Sequence, residues 1–275
     1  MAKPQHTLAD ALAAAESLWP LSGASEWDST GLVSGDPAAA LSRIHLAVDA
    51  VAATVDEAIE IGANLLLTHH PLLLRGVTTV AEDRYKGAMI ARLIRAGCAL
   101  LAAHTNADVV ETGTSAVIAA RLGLENLRPI VEGESPSRGL GRVGTLTTPT
   151  TLGRLARALG DVLPATASGI RVAGEYDQPV QTVALCGGAG DSLLGEPAVA
   201  AADVYITSDL RHHPASEARE NVRIGGGPAL IDISHWASEW LWLETAAAQL
   251  SEALPGATVT VSELRTDPWD FAIVQ

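Results

Sequence analysis

The sequence predicts an α/β protein built as two α/β lobes with mainly parallel or mixed sheets. Three observations predict it. Short apolar runs rich in Leu, Val and Ile alternate with longer stretches of helical periodicity. Glycines and prolines punctuate the joints between them. A polar stretch, Val131-Glu-Gly-Glu-Ser-Pro-Ser-Arg-Gly-Leu-Gly141, divides the alternation in two. We therefore read residues 1–130 as a first lobe, 131–141 as a linker and 142–275 as a second lobe. The C-terminal segment could pack back on the first lobe.

Taken in order, Thr7-Leu-Ala-Asp10 opens an amphipathic helix that runs to about Trp19, with Thr7 as N-cap and Pro20 as its stop. Glu26 to Asp36 reads as a loop, a turn with a packed Trp27 and the carboxylate of Asp28 beside it. Ile44–Val48 is a strand. Thr54-Val-Asp-Glu57 has the form of a capping box and starts a short helix that ends at Gly62. Leu65–Leu67 is a buried strand, residues 84–96 are helical with Gly97 as the stop, and residues 98–103 form the next strand. A helix follows over 114–122. Beyond the linker, strands are expected at 142–147, 170–173, 180–185, 203–207, 229–233 and 258–264. Helices are expected at 152–162, after 208–217 and from His235 to Leu254, and Cys186-Gly-Gly-Ala-Gly190 reads as a glycine turn.

Composition narrows the function. It is that of a soluble globular chain, and no apolar run reaches the length of a membrane span. The N-terminus lacks an apolar signal core, which predicts a cytoplasmic protein. The net charge of −14 excludes a general nucleic-acid binder, which needs a basic face. A small anionic substrate stays open, because divalent cations in a site reverse the local charge. The only two cysteines, Cys98 and Cys186, lie in apolar runs and read as buried free thiols.

The chemistry sits in the histidines. Six of the eight fall in three places: His69-His70, His104, and the stretch from His212-His213 to His235. All three places are predicted strand ends, where α/β sheets gather their sites. His69 and His70 follow three leucines and precede Pro71, which holds His70 extended. Adjacent side chains on a strand point to opposite faces, so the pair is expected to diverge. His235 and Glu239, spaced i,i+4, share one helix face beside the apolar stripe of Trp236, Trp240 and Leu243. The plainer reading is a solvent-facing polar pair. His104 and Asp108 lie on a strand-to-loop turn, where Asn106 or Asp108 could simply build an Asx turn. His212-His213 fits a helix start after Ser208-Asp209. Together, histidines and carboxylates in this number suit two ions and metal-assisted hydrolysis. Such donors favour Zn, Fe, Mn, Co or Ni over Mg or Ca.

The chain resembles the NIF-three-like (NGG-interacting factor) family, also called dinuclear metal centre hexameric proteins. Bacterial members are often labelled GTP cyclohydrolase I type 2 homologues. The resemblance is carried by Trp27-Asp28-Ser-Thr-Gly31-Leu32, Thr68-His69-His70-Pro71, His104-Thr-Asn-Ala-Asp108, Gly187-Gly188-Ala-Gly190, Thr207-Ser-Asp-Leu-Arg-His-His213 and Ser234-His235-x-x-x-Glu239, in family order. Two positions depart from the family pattern: Ser29-Thr30 where Asn is usual, and Ala189 where Ser is usual. The resemblance implies that His69, His70, Asp108, His235 and Glu239 bind two divalent metal ions per chain, Glu239 bridging, in a cleft between lobes. It implies a homohexamer without the PII/CutA-like insert of longer relatives. His104, Asp209 and His213 are candidates to support those ligands or to shuttle protons. The expected function is a metal-dependent hydrolase acting on a nucleotide or phosphorylated small molecule. The alternative is a non-catalytic metal carrier or scaffold that works through protein partners.

Overall fold

A computed structural model of the chain describes residues 6–273. Residues 1–5, on which part of the N-terminal expectation rests, lie outside the described residues. The chain forms two compact units. The first runs to Ala107 and includes Leu243–Thr266; the second comprises Asp108–Trp242 and the residues from Asp267 onward.

The first unit is organised on a five-stranded sheet. Its order is Thr258–Val261, Arg43–Ala47, Leu65–Thr68, Ala99–Ala102 and Gly31–Ser34. The first four strands are parallel, and the last is an antiparallel edge. Leu65–Thr68 is buried along its whole length, as a central parallel strand covered on both faces must be. Helices Ala52–Glu60 and Tyr85–Ala96 cover one face, where Val55, Ala58, Met89 and Leu93 pack on Leu66 and Leu100. The returning strand Thr258–Val261 is fastened by side chains far apart in sequence. His45 meets Thr260 Oγ1 at 2.8 Å through Nδ1 and Glu57 at 3.0 Å through Nε2, and Ser262 donates to Glu57.

The second unit carries a six-stranded mixed sheet. Its order is Arg171–Ala173, Ala229–Ile233, Val204–Ser208, Pro179–Ala189, Arg142–Thr151 and Leu124–Arg128. The pairs among Pro179–Ala189, Val204–Ser208 and Ala229–Ile233 are parallel, and the remaining pairs are antiparallel. Ala184, Tyr205 and Leu230 bury one face against Val199, Ala202 and Leu193. The fold is thus mixed α/β with parallel and mixed sheets, as the alternation of elements predicts. No helix among the described residues is long and apolar enough to cross a membrane.

Most element expectations hold within a residue or two, including the Thr7 capping box with Asp10 and the stop at Gly97. Others need correction. The helix expected from Thr54 starts two residues earlier, at Ala52. Thr54 is its third residue, and its hydroxyl oxygen accepts from the Val51 N–H. Residues 186–189 are not a turn but the end of strand Pro179–Ala189, and only Gly190 lies beyond it. Gly31–Ser34 and Leu124–Arg128 are strands where none was expected. Both lie at sheet edges, Gly31–Ser34 half-buried and Leu124–Arg128 mostly exposed, so neither carries a long apolar run. Residues 131–141 hold the paired strands Val131–Glu132 and Gly139–Leu140.

Candidate metal centre

Parallel register assembles the first unit's donors. Ala47 pairs with Thr68, and Thr68 pairs with Ala102. Two residues further along each chain stand Asp49, His70 and His104. The ladder extends past the strand ends: His69 N–H donates to Ala47 O, His70 N–H to Val48 O, and Ala103 N–H to Thr68 O. The antiparallel edge strand adds a fourth contribution, since Gly31 pairs with Ala102 and the preceding loop sets Asp28 beside His104.

The rings of His69, His70 and His104 converge. Their centroids lie 5.2–5.5 Å apart. One ligand nitrogen of each lies within 4.8 Å of the others, an arrangement able to hold a metal ion. His69 is fully buried and His70 partly so. The expected divergence of His69 and His70 is therefore wrong. The regular strand ends at Thr68, the chain bends, and alternation across the pleat no longer applies.

Each of these rings is anchored by an oxygen at Nδ1: His69 on Ala103 O at 2.8 Å, His70 on Asp49 Oδ1 at 2.7 Å, and His104 on Asp28 Oδ1 at 2.8 Å. A carbonyl or an ionised carboxylate only accepts, so Nδ1 carries the proton and Nε2 is the nitrogen left able to accept. Burial would raise Asp28, but hydrogen bonds from His104 and Thr105 outweigh it and hold the carboxyl below its ordinary value. Three imidazoles, two of them backed by carboxylates, suit a metal dication in donor chemistry.

The second unit gathers its donors at the ends of its own parallel strands. Ser208 pairs with Ile233, and just beyond them lie Asp209 and His235. His235 Nδ1 meets Asp209 Oδ2 at 2.8 Å, and its Nε2 meets Glu239 Oε1 at 2.9 Å. Glu239 is buried, which removes the reading of a solvent-facing pair. Burial opposes charge on His235, yet Glu239 and Asp209 prevail and push it up to about 11. Asp209 pays a backbone cost, at φ +56°, to sit there. Gly188, at φ +70°, lies so close that a Cβ would fall 2.5 Å from Glu239 Oε1. Its N–H donates to Ser238 Oγ, and Ser238 Oγ donates in turn to His235 O. Asp108 ends the short helix Thr105–Asp108 and accepts from Thr114 Oγ1 at 2.6 Å.

Among the remaining expectations, Asn106 does build the local turn, accepting from the His104 N–H at 3.0 Å. His212 and His213 are exposed at the start of helix His212–Gly225, their rings 5.3 Å apart. Trp27 is not packed as expected. It is 63 % exposed, with its ring edge-on to His104 at 5.9 Å. Sequence reasoning missed Asp49 as a ring anchor and passed over Asp28. The signal for Asp28 was there, a carboxylate between an aromatic and a glycine. Asp49 carried none, because only register places it beside His70.

The fold and donor clusters define a mixed α/β protein that carries, at the carboxyl ends of its strands, histidine groups able to hold a metal ion. The chain belongs to the Duf34/NIF3 (NGG1p interacting factor 3) family, whose model matches residues 6–268. It is 48% identical over 269 residues to a Streptomyces coelicolor protein named GTP cyclohydrolase 1 type 2 homolog, covering 95% of this chain and 93% of that one. A Mycobacterium leprae protein of the same name is 35% identical over 372 aligned positions, covering 96% and 95%. That alignment is longer than this chain, so the relative carries a segment that this chain lacks. Among solved structures, Staphylococcus aureus protein SA1388 superposes with a TM-score of 0.87 at 27% identity, covering 98% of this chain and 100% of that one. A Bacillus cereus protein related to NIF3 shares the fold, with a TM-score of 0.86 at 24% identity, over 97% and 99%.

Proposed function

We propose that the chain binds two divalent metal ions through His69, His70, Asp108, His235 and Glu239, and uses them to hydrolyse a nucleotide or another phosphorylated small molecule. The observation that carries this reading is the trio of imidazole nitrogens within 4.8 Å in the first unit, each ring already anchored at Nδ1. Within the second unit, the buried Glu239 beside His235 offers the carboxylate and imidazole donors that the reading also requires. Bound there, two ions would supply Lewis-acid polarisation and bring the ionisation of water toward neutral pH. The protein's own part is to hold the rings, keep the buried donors dry and offset the ions' charge with Asp28, Asp49 and Asp209. The names of the relatives in Streptomyces coelicolor and Mycobacterium leprae support a nucleotide as the substrate class. A homohexamer acting in the cytoplasm completes the reading, and light scattering checks the assembly.

Metal content tests it. Protein purified in metal-replete medium is expected to carry close to two ions per chain by elemental mass spectrometry. His69→Ala and Glu239→Ala should each lower that number with the circular dichroism spectrum unchanged. Metal-free protein from replete medium would refute the reading. If metal binds and no nucleotide or phosphoester in a panel is turned over, the hydrolase half fails and a metal-binding scaffold takes its place.

A further inference from the structure

The three histidines at the strand ends of the first unit and His235 at those of the second share one feature: an oxygen holds each Nδ1. For His104 that oxygen belongs to a side chain whose other contacts are all fixed. The Asp28 side chain is fully buried, and the His104 side chain is 12% exposed. Asp28 Oδ1 accepts from the His104 ring at 2.8 Å and from the Ser29 N–H at 2.7 Å. Asp28 Oδ2 accepts from both the N–H and the hydroxyl of Thr105. Thr105 in turn is held from outside its helix, because its Oγ1 accepts from the Ser25 N–H at 2.9 Å. The loop bearing Asp28 is tied to the sheet by Thr30, whose hydroxyl lies 2.8 Å from both Ala102 O and Asn106 Oδ1. Every donor that reaches Asp28 requires an acceptor, so the carboxylate has one stable arrangement.

We propose that Asp28 is a positioning residue for the metal centre. It keeps His104 in the Nδ1–H form, so that Nε2 is the nitrogen His104 presents to the His69–His70 cluster. The inference rests on the metal-binding reading above, and it adds His104 to the nitrogens that meet the ion. Charge alone does not explain the geometry, because an exposed carboxylate would balance the ion without choosing a ring nitrogen. The isosteric variant exposes the difference. In Asp28→Asn the carboxamide oxygen stays with the two Thr105 donors, the Ser29 N–H loses its acceptor, and the NH2 group faces His104 Nδ1. That nitrogen must then accept, and the ring proton moves to Nε2. Shape is conserved while the ligand nitrogen is blocked.

The test is the long-range 1H–15N imidazole spectrum of metal-free protein at pH 8, with His104 assigned by its loss in His104→Gln. Wild-type protein is expected to carry the His104 proton on Nδ1, and Asp28→Asn to carry it on Nε2. Zinc affinity, measured by competition with a chromogenic chelator, should fall about ten- to hundredfold in Asp28→Asn. A wild-type His104 protonated on Nε2 overturns the proposal, and this readout does not depend on the variant folding. So does an Asp28→Asn protein whose His104 form and zinc affinity both match wild type. Absence of zinc uptake by wild-type protein sinks the metal reading itself, whereas a tautomer indifferent to Asp28→Asn sinks only this inference.

Discussion

At the scale of single residues, the candidate site depends on small groups that leave room and on acceptors that choose a ring nitrogen. Gly188 is the sharpest case of the first kind. A side chain there would meet both left-handed backbone strain and the Glu239 carboxylate, since a Cβ would lie 2.5 Å from Oε1 and 3.5 Å from His235 Nε2. Gly188→Ala is therefore expected to cost about 1–2 kcal/mol in urea unfolding. It should also lower bound metal per chain, because the carboxylate must move to admit the methyl. A variant that keeps its full metal content would show that Glu239 has slack and that the tight packing has no bearing on binding. The motif Gly187-Gly188-Ala-Gly190 was legible as a glycine cluster, but not as space for a carboxylate. That assignment needs the helix beginning at His235 laid against the strand.

At the scale of elements, helix ends and strand ends obey different rules of legibility. Helix Tyr85–Ala96 closes at Gly97 in the left-handed region, φ +67°, where its N–H returns to Leu93 and Ile94 carbonyls. A Cβ at Gly97 would meet nothing within 4 Å. The cost of Gly97→Ala is thus the backbone term alone, about 1–2 kcal/mol, with no change in metal binding or in spectra of the folded state. A much larger loss would mean that packing, not conformation, selects glycine there. Such local signals allowed most helices to be read from sequence. The strand ends did not yield so easily. His69 and His70 look divergent on a pleated strand, yet they converge because the strand stops at Thr68. The edge strand Gly31–Ser34 was missed for want of an apolar run, and with it the route by which Asp28 reaches His104.

At the scale of the whole molecule, each compact unit buries one thiol, which makes the pair a native report on the stability of the two units. Burial pushes the Cys98 thiol up to about 11 and, with Asp108 and Glu239 adding to it, the Cys186 thiol up to about 12. Both stay neutral and shielded at pH 8. A disulfide reagent is expected to label neither in folded protein within minutes, and both in denaturant. The sign of the pH dependence follows. The folded values lie above the ordinary 9.0, so burying neutral thiols favours folding below about pH 9. That contribution is lost as the pH rises through 9 toward 11. Single-cysteine variants, Cys98→Ser and Cys186→Ser, would report the opening of each unit separately. Rapid labelling of either thiol in folded protein would contradict the burial on which the argument stands.

The sequence by itself determined the α/β class, nearly every helix, the buried central strands and the histidine and carboxylate motifs, which also carry the family. These are properties of local periodicity, capping and residue chemistry, and a chain expresses them within a few turns. Only the tertiary structure decided which donors share a site and which atoms they offer. Asp49, His70 and His104 are separated by 21 and 34 residues, yet they stand side by side because three parallel strands pair in one register. Asp28 joins them through an antiparallel edge, and Thr260 closes the same sheet on His45 from 215 residues away. Register is a long-range hydrogen-bonding choice, and no local pattern encodes it. For that reason the ligand types were legible in the chain, while the oxygens that orient them were not.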